Sequence, residues 1–593
     1  MQARRAYWLA GLGFALCALG IPAVLYVLEI LRTGLGSYSL DVRDPDSWLR
    51  LHEVRHWLMG GVDFYDKVIV RANAPFGGVI TPWTRPVDFL LTGLIGMFSL
   101  TGTTSSLLLA SAVYGPLLGV AAAVAALKIL QLLVPNAGAL EAVLAILLAC
   151  ILKPAIFNFV PGNVDHHGLQ LVAFLWLMVA LLRNDRATAP LTGLWLALLC
   201  WISPEGLIWV LFAFAWFAVR SLWIGAEAAR LRIASVTLAG LLVAVYGLEQ
   251  PWSAWAQHHE LDTLSSLYLV VYLLIAACAL LWDGLRPWWD VRGIAQRLAC
   301  GLLLAGACAI SIWLLAPRFF LGPMADAPAS AITYFLPSIY EAQPFYRLPW
   351  QTILSGFALD WAVVALMVLM PLAGMPKERR GLIIAALLWS IALSGVQLRF
   401  GQYSLAPLLL AVWMPAIASR IAARPWMDSF TAGLRVPMIL LGFVAVLLGW
   451  QHWLQEQVPA GAWHLPCERS IYDAARSGAL QQMIPERDAV VLTPKNIEPP
   501  LLFFTQYHLV AGTYHREADA ILWLDTAYRM AQERQLRQML RERKIEYALV
   551  CPSELPENSV LARVAAGKMH VTWLEKMEPQ QNHGAFALYR LLP

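Results

Sequence analysis

Runs of about twenty apolar residues recur along this chain, the length a helix needs to cross the hydrocarbon of a bilayer. They lie near 7–31, 105–132, 139–157, 168–183, 188–203, 205–223, 232–248, 264–282, 297–316, 351–374, 381–397, 402–419 and 434–454. The stretch 87–100 is also apolar, but it is short and follows Pro82 and Pro86, so it reads as interfacial or re-entrant. Only 14% of the 593 residues are charged and 59% are hydrophobic, against about 25% charged in an average soluble protein. That excludes a soluble enzyme, a disordered scaffold and a nucleic-acid-binding domain. A net charge of +4 is too small to indicate a polyanionic partner. The first run follows Arg4 and Arg5, is too long for a signal-peptide core and lacks an A-x-A site, so it reads as an uncleaved span.

Sidedness tests the count of thirteen, because cytoplasmic loops concentrate Lys and Arg. With the N-terminus inside, the inner segments collect Arg4 and Arg5, Arg183 and Arg186, Arg220, Arg230 and Arg232. Arg286, Arg292 and Arg297 follow, then Lys377, Arg379 and Arg380. Counting 87–100 as a span would turn every later loop outward. Thirteen spans also place the chain beyond about residue 450 outside.

The outer face then holds the loops 32–86, 158–167 and 317–350 and the tail 455–593. The tail is more polar, with strand-like runs at 489–492 and 547–551 around a helical, Arg-rich stretch at 522–543. The expected organisation is a membrane domain over 1–454 and a small outer α/β domain over 455–593. Six cysteines lie in apolar runs, where a thiol behaves as a small hydrophobe. Cys467 and Cys551 lie outside them and can pair in an oxidising compartment, which spacing alone leaves open.

Ionisable groups at a membrane boundary are costly and mark function more often than stability. Three clusters share the outer side: Asp41-Val42-Arg43-Asp44-Pro45-Asp46, then Gly162-Asn163-Val164-Asp165-His166-His167, then Ser338-Ile339-Tyr340-Glu341. Carboxylates and histidine converging on one face suit a hard divalent cation, Mg²⁺ or Mn²⁺, able to neutralise a phosphate leaving group. Taken singly, each has a plainer reading. Asp44 or Asp46 can cap the amphipathic helix expected over 48–59, and Asp165 can cap the next span. Glu341 can be an ordinary loop carboxylate.

The pattern Asp44-Pro45-x4-Arg50, Asp165-His166-His167 and Ile339-Tyr340-Glu341, with Gln397-Leu398-Arg399-Phe400-x2-Tyr403 after the eleventh span, resembles the catalytic subunit of bacterial and archaeal oligosaccharyltransferases. The resemblance covers most of the chain. It implies a mainly α, polytopic GT-C membrane glycosyltransferase with about thirteen spans and an outer C-terminal domain, in a bacterial inner membrane. It implies that Asp44, Asp165 and His167 hold the metal and that Glu341 stands by the acceptor nucleophile. Arg399 would contact the phosphate or pyrophosphate of a polyprenyl-linked saccharide donor, with Asp46, His166, Arg50 and Tyr403 as further site residues. Transfer would invert the anomeric carbon.

One departure bears on the acceptor. Family members that modify asparagine carry Trp-Trp-Asp in the outer domain, and this tail has none; Trp288-Trp289-Asp290 falls in an expected inner loop. A protein site, a lipid or a growing glycan therefore all remain as acceptors. The tail offers Thr505-x2-His508 and Tyr514-His515-Arg516 as saccharide contacts, with core or surface roles the plainer reading.

Two other chemistries compete. His52-Glu53-Val54-Arg55-His56 fits the H-E-x-x-H pattern of zinc metalloproteases, without an evident third ligand. His258-His259-Glu260 is a weaker metal candidate that reads as solvated. A transporter would want its charges mid-span, whereas these gather at the outer boundary. Ser203-Pro204-Glu205 reads as a helix start on the same side as the candidate site.

Overall fold

The computed structural model describes residues 2–33, 45–59, 63–152, 158–347, 350–369, 375–423, 434, 436–446, 466–577 and 585–593. Its N-terminal part is a body of apolar helices: α1 (Gln2–Thr33), α2 (Pro45–Leu58), α3 (Pro86–Met97), α4 (Thr103–Leu133), α5 (Ala139–Leu152) and α6 (His166–Arg183). There follow α7 (Ala189–Ile202), α8 (Leu207–Ser221), α9 (Ala226–Glu249) and α10 (Ser266–Gly284). Eight described helices are long and apolar enough to cross a membrane, and each coincides with an expected span. The other five expected spans fall on shorter apolar helices, Ala139–Cys150, Arg186–Ile202, Leu359–Leu369, Ala406–Ala422 and Val436–Val446. The stretch 87–100 forms the short α3.

In lipid, close backbone packing replaces the hydrophobic drive for association. The contact of α7 with α9 shows how: a Cβ on Gly193 would stand 2.5 Å from the Ala234 carbonyl, so only glycine lets these backbones meet. Successive helices alternate direction, and two charged ends result. At one end Arg379 donates to the Leu182 carbonyl at 3.2 Å and to that of Leu132, satisfying the last turns of α6 and α4. Arg220 pairs there with Glu227 at 3.1 Å, and Arg230 with Glu227 at 3.0 Å. The opposite end carries the start of α6, the ends of α7 and α9 and the start of α10.

Resting on that second end is a five-stranded sheet. Its strands are β3 (Val490–Leu492), β4 (His508–Leu509), β5 (Tyr547–Val550), β6 (Leu574–Met577) and β7 (Ala587–Leu591), in the order β4-β3-β5-β7-β6. β3 runs parallel to β4 and β5, while β5, β7 and β6 pair antiparallel. Strands at 489–492 and 547–551 were expected; β4, β6 and β7 are additional. The Arg-rich stretch is two helices, Ala518–Arg529 and Glu533–Glu542. Cys467 and Cys551 are joined in a disulfide, which closes the alternative that spacing left open.

The outer loop and the sheet hold each other. The hairpin β1 (Val68–Ile69) and β2 (Val79–Ile80) carries the segment between its strands to the edge strand β4, where Leu509 N donates to the Arg71 carbonyl and Ala74 N to the Leu509 carbonyl, both at 2.8 Å. Arg71 also donates to the carbonyls of Leu502 at 2.6 Å and Thr505 at 2.9 Å. An edge that would otherwise present bare backbone groups is thus covered.

Candidate active site

The turn before α6 is built around Gly162, whose φ of +91° is open to glycine. Gly162 N donates to the Ser111 carbonyl of α4 at 2.9 Å, and Gly115 leaves room for the turn: a Cβ there would meet the Val160 carbonyl at 2.5 Å. Asp165 caps α6, accepting from His166 N at 2.6 Å. The plain capping reading is therefore correct as local structure, and it does not exhaust the residue. Asp165 Oδ1 lies 2.6 Å from His166 Nδ1, and Oδ2 lies 3.6 Å from His167 Nε2. Burial would raise the Asp165 pKa, but His166, His167 and Arg50 outweigh it and hold the carboxylate well below its usual range.

His167 is oriented from behind. Gln170 Oε1 lies 3.1 Å from His167 Nδ1 and accepts from Tyr403 OH at 3.3 Å. An acceptor at Nδ1 fixes the ring so that Nε2 is the nitrogen that faces Asp165. Asp165, His166 and His167 offer ligand atoms all within 4.8 Å of one another. A carboxylate oxygen and an imidazole nitrogen 3.6 Å apart are close to the roughly 3 Å separation of neighbouring ligands around a small divalent ion. The residues fit a metal by chemistry and spacing.

Arg399 enters from the short 3-10 helix Leu398–Tyr403, past the end of the helix Lys377–Ser394. Its Nε donates to Gln397 Oε1 at 2.9 Å and its Nη2 reaches Glu205 Oε1 at 2.6 Å. Burial would lower its pKa, but Glu205 and Glu341 raise it instead. Leu398 N donates to the Gln343 carbonyl at 3.0 Å, tying this helix to the loop that carries Glu341. Glu341 is exposed and acts electrostatically on both His167 and Arg399.

The first cluster is reached from its far side. Asp44 lies outside the described residues, but α2 begins at the next position, and Ser47 Oγ accepts from Val164 N at 3.0 Å beside Asp165. Asp46 faces the C-terminal part of the chain, with Tyr514 OH 3.5 Å from its Oδ1. Arg50 is buried, 2.7 Å from Asp88 and stacked on Trp83 at 4.2 Å, and its charge reaches Asp165. Sequence reasoning missed Gln170, a lone amide at the start of the second turn of an apolar helix, and Asp88, which holds both Arg50 and Arg85.

The remaining motifs have other duties. Glu53 of H-E-x-x-H accepts from Thr81 Oγ1, and His52 and His56 stack 6.0 Å apart beside Arg55 and Arg71. No third ligand joins them among the described residues. Trp289 stacks on Trp282 at 4.5 Å and donates to its carbonyl at 2.8 Å; it lies past the far end of α10, about 28 Å along that helix from the site's end. Glu260 is not a solvated loop acid: with Asp262 it holds Arg516 of the C-terminal part at 2.7 and 2.6 Å, and Asp262 also meets His515 at 2.7 Å. Thr505 Oγ1 donates to the Leu501 carbonyl.

No family model and no curated protein matches the chain. Solved structures do. Archaeal oligosaccharyltransferase AglB from Archaeoglobus fulgidus, in complex with an inhibitory peptide and a dolichol-phosphate, aligns with a TM-score of 0.66 at 14% identity, over 91% of this chain and 69% of that one. The Archaeoglobus fulgidus oligosaccharyltransferase tethered with an acceptor peptide containing the NVT sequon gives 0.62 at 14%, over 98% and 74%. Its complex with Zn and sulfate gives 0.59 at 15%, over 97% and 73%. At this identity the likeness is one of fold: the chain has the fold of an archaeal oligosaccharyltransferase.

Proposed function

We propose that this protein is a membrane glycosyltransferase that moves a sugar or oligosaccharide from a polyprenyl-phosphate or -pyrophosphate carrier to an acceptor on the outer face of a bacterial inner membrane. The observation that carries the reading is the convergence of Asp165, His166 and His167 with the Arg399–Glu205 pair and Glu341 at one end of an apolar helical body. The Arg-rich end, opposite, is the cytoplasmic one, so the sheet of residues 466–593 is periplasmic, where its disulfide is at home.

Arg399 binds the carrier phosphate through the guanidinium edge not engaged by Gln397 and Glu205, and steadies the charge that grows on the departing oxygen. Glu341 orients the acceptor nucleophile and accepts its proton as the new glycosidic bond forms. Attack opposite the leaving phosphate inverts the anomeric carbon. Asp165 and His167, with Asp44, would hold a divalent ion, Mn²⁺ or Mg²⁺, which when bound supplies positive charge against the leaving phosphate. Gln170 keeps the His167 ring turned for that duty. The tail carries no Trp-Trp-Asp, which favours a lipid, glycan or non-sequon protein acceptor.

The test is mass spectrometry of membranes from a deletion strain, comparing glycoproteins, glycolipids and carrier-linked saccharide. Accumulated carrier-linked saccharide, cleared by the wild-type gene but not by Glu341→Ala, is the expected result. An unchanged profile in all three classes would end the reading.

A further inference from the structure

We infer that the C-terminal part of the chain carries a second binding site, for a saccharide bearing a carboxylate or a phosphate, in the cavity walled by Arg537, Arg541, Lys544 and Trp573. The cavity measures about 420 Å³, within the roughly 300 to 1,000 Å³ of small-molecule pockets. None of its lining residues belongs to the Asp165–Arg399 site. That the ligand is an anion rests on the cavity alone; that it is a saccharide rests also on the proposed function.

The helix Glu533–Glu542 sets Arg537 and Arg541 one turn apart on one face, and the turn that ends it brings Lys544 to the same cavity. The acids nearby are occupied elsewhere. Glu533 accepts from Trp573 Nε1 at 2.9 Å, Glu542 from Gln538 Nε2 at 2.9 Å, and Glu546 from Val490 N at 3.3 Å. Set against Glu546 and a carboxylate on Pro593, the three cations still leave the lining positive. Arg537 is held in place, its Nη2 donating to the Pro593 carbonyl at 3.3 Å, while its Nε is buried without a hydrogen-bond partner. A fixed guanidinium with donors to spare matches a carboxylate or a phosphate.

Lys544 points the same way from its backbone. Ile545 N donates to the Leu540 carbonyl at 2.9 Å and Lys544 N to the Arg541 carbonyl at 3.0 Å, the two bonds that close a helix on a left-handed residue. Glycine usually fills that position, and here a lysine does, with φ of +54°. The chain accepts backbone strain and keeps a charge at the cavity, as strained residues at binding sites do. The walls are preformed, because Leu591 N donates to the Glu546 carbonyl at 2.8 Å and Leu592 N to the Trp573 carbonyl at 2.9 Å. Ile545, Leu591, Leu592 and the buried Trp573 add apolar lining, which suits the C–H face of a sugar ring beside its charged group.

The experiment is calorimetric titration of the full-length protein, in phosphatidylcholine nanodiscs, with glucuronate, glucose 6-phosphate, glucose and inorganic phosphate. Wild type is expected to bind one of the two anionic sugars at least about tenfold more tightly than glucose or phosphate. Which one it prefers separates a sugar acid from a sugar phosphate. Arg541→Gln, on an exposed helix face, should weaken that binding about tenfold. Lys544→Gly should weaken it about fivefold while leaving the melting temperature unchanged or higher, since glycine suits the turn. A lysine kept only for structure would give the opposite pair of results, unchanged binding and a lower melting temperature. No binding of either anionic sugar by wild type would overturn the inference. So would inorganic phosphate binding as tightly as the sugars, or affinity that both variants leave intact. None of these results touches the membrane profile of the deletion strain, so failure here is distinct from failure of the proposed transfer.

Discussion

Two regions of this molecule spell metal chemistry in sequence, and only one offers ligands in space. Asp165-His166-His167 brings its ligand atoms within 4.8 Å of one another. In His52-Glu53-x-x-His56 the central glutamate is spent on Thr81, and two arginines stand beside the imidazoles. The difference lies in what surrounds each motif. Cationic neighbours oppose a bound cation, and the glutamate is turned to Thr81. The first motif faces an exposed glutamate and a guanidinium; the second is packed under the C-terminal residues around Phe503.

The comparison can be broken in a fixed order of effect. Asp165→Asn should abolish transfer, by about a thousandfold or more, without a large change in melting temperature, read as failure to clear carrier-linked saccharide in the deletion strain. Cys467→Ser tests a third constellation, since Cys467, Cys551 and Glu554 also cluster like ligands. As the sulfurs are bonded to each other, the loss should be one of stability, about 3 kcal/mol, measured by denaturant melting and reproduced by a thiol reductant. Recovery of stability by added zinc would contradict this.

A smaller effect is carried by pH. Burial beside Asp88 pushes the Glu53 carboxyl up to about 7. Protonated in the native state and ionised when unfolded, it contributes stability that is full below pH 4.5, falls as pH rises towards 7 and is lost above it. Glu517, also near 7, acts in the same direction. The melting temperature should therefore decline between pH 5 and 8, and Glu53→Gln with Glu517→Gln should flatten that decline. The smallest expected change belongs to His52→Gln/His56→Gln, which should leave transfer within about twofold of wild type. A hundredfold loss there would return the zinc motif to the mechanism.

Much of this was legible in the sequence because the signals are local. Span length and the Arg-rich loops need no partner to be read, and the three acidic clusters were visible as costly charges at one boundary. Strands β4, β6 and β7 were not, because two residues of β4 and the mixed Leu-Glu-Lys-Met of β6 carry no alternation. Glu205 looked like a helix start, and it is one; that it grips Arg399 depends on two segments meeting from opposite parts of the chain. The Arg50–Asp88 pair was not legible either, because spacing does not show which acid a buried arginine meets.

The pairing of Arg71 with the far strand β4 has a consequence for how the molecule is made. Arg71 and Thr505 are 434 residues apart in the chain, so at ordinary elongation rates the hairpin leaves the ribosome roughly 20 to 90 seconds before its partner exists. Through that interval the arginine-bearing hairpin has no strand to claim its backbone. Biogenesis of this protein is thus open to a chaperone that shields the hairpin until β4 arrives.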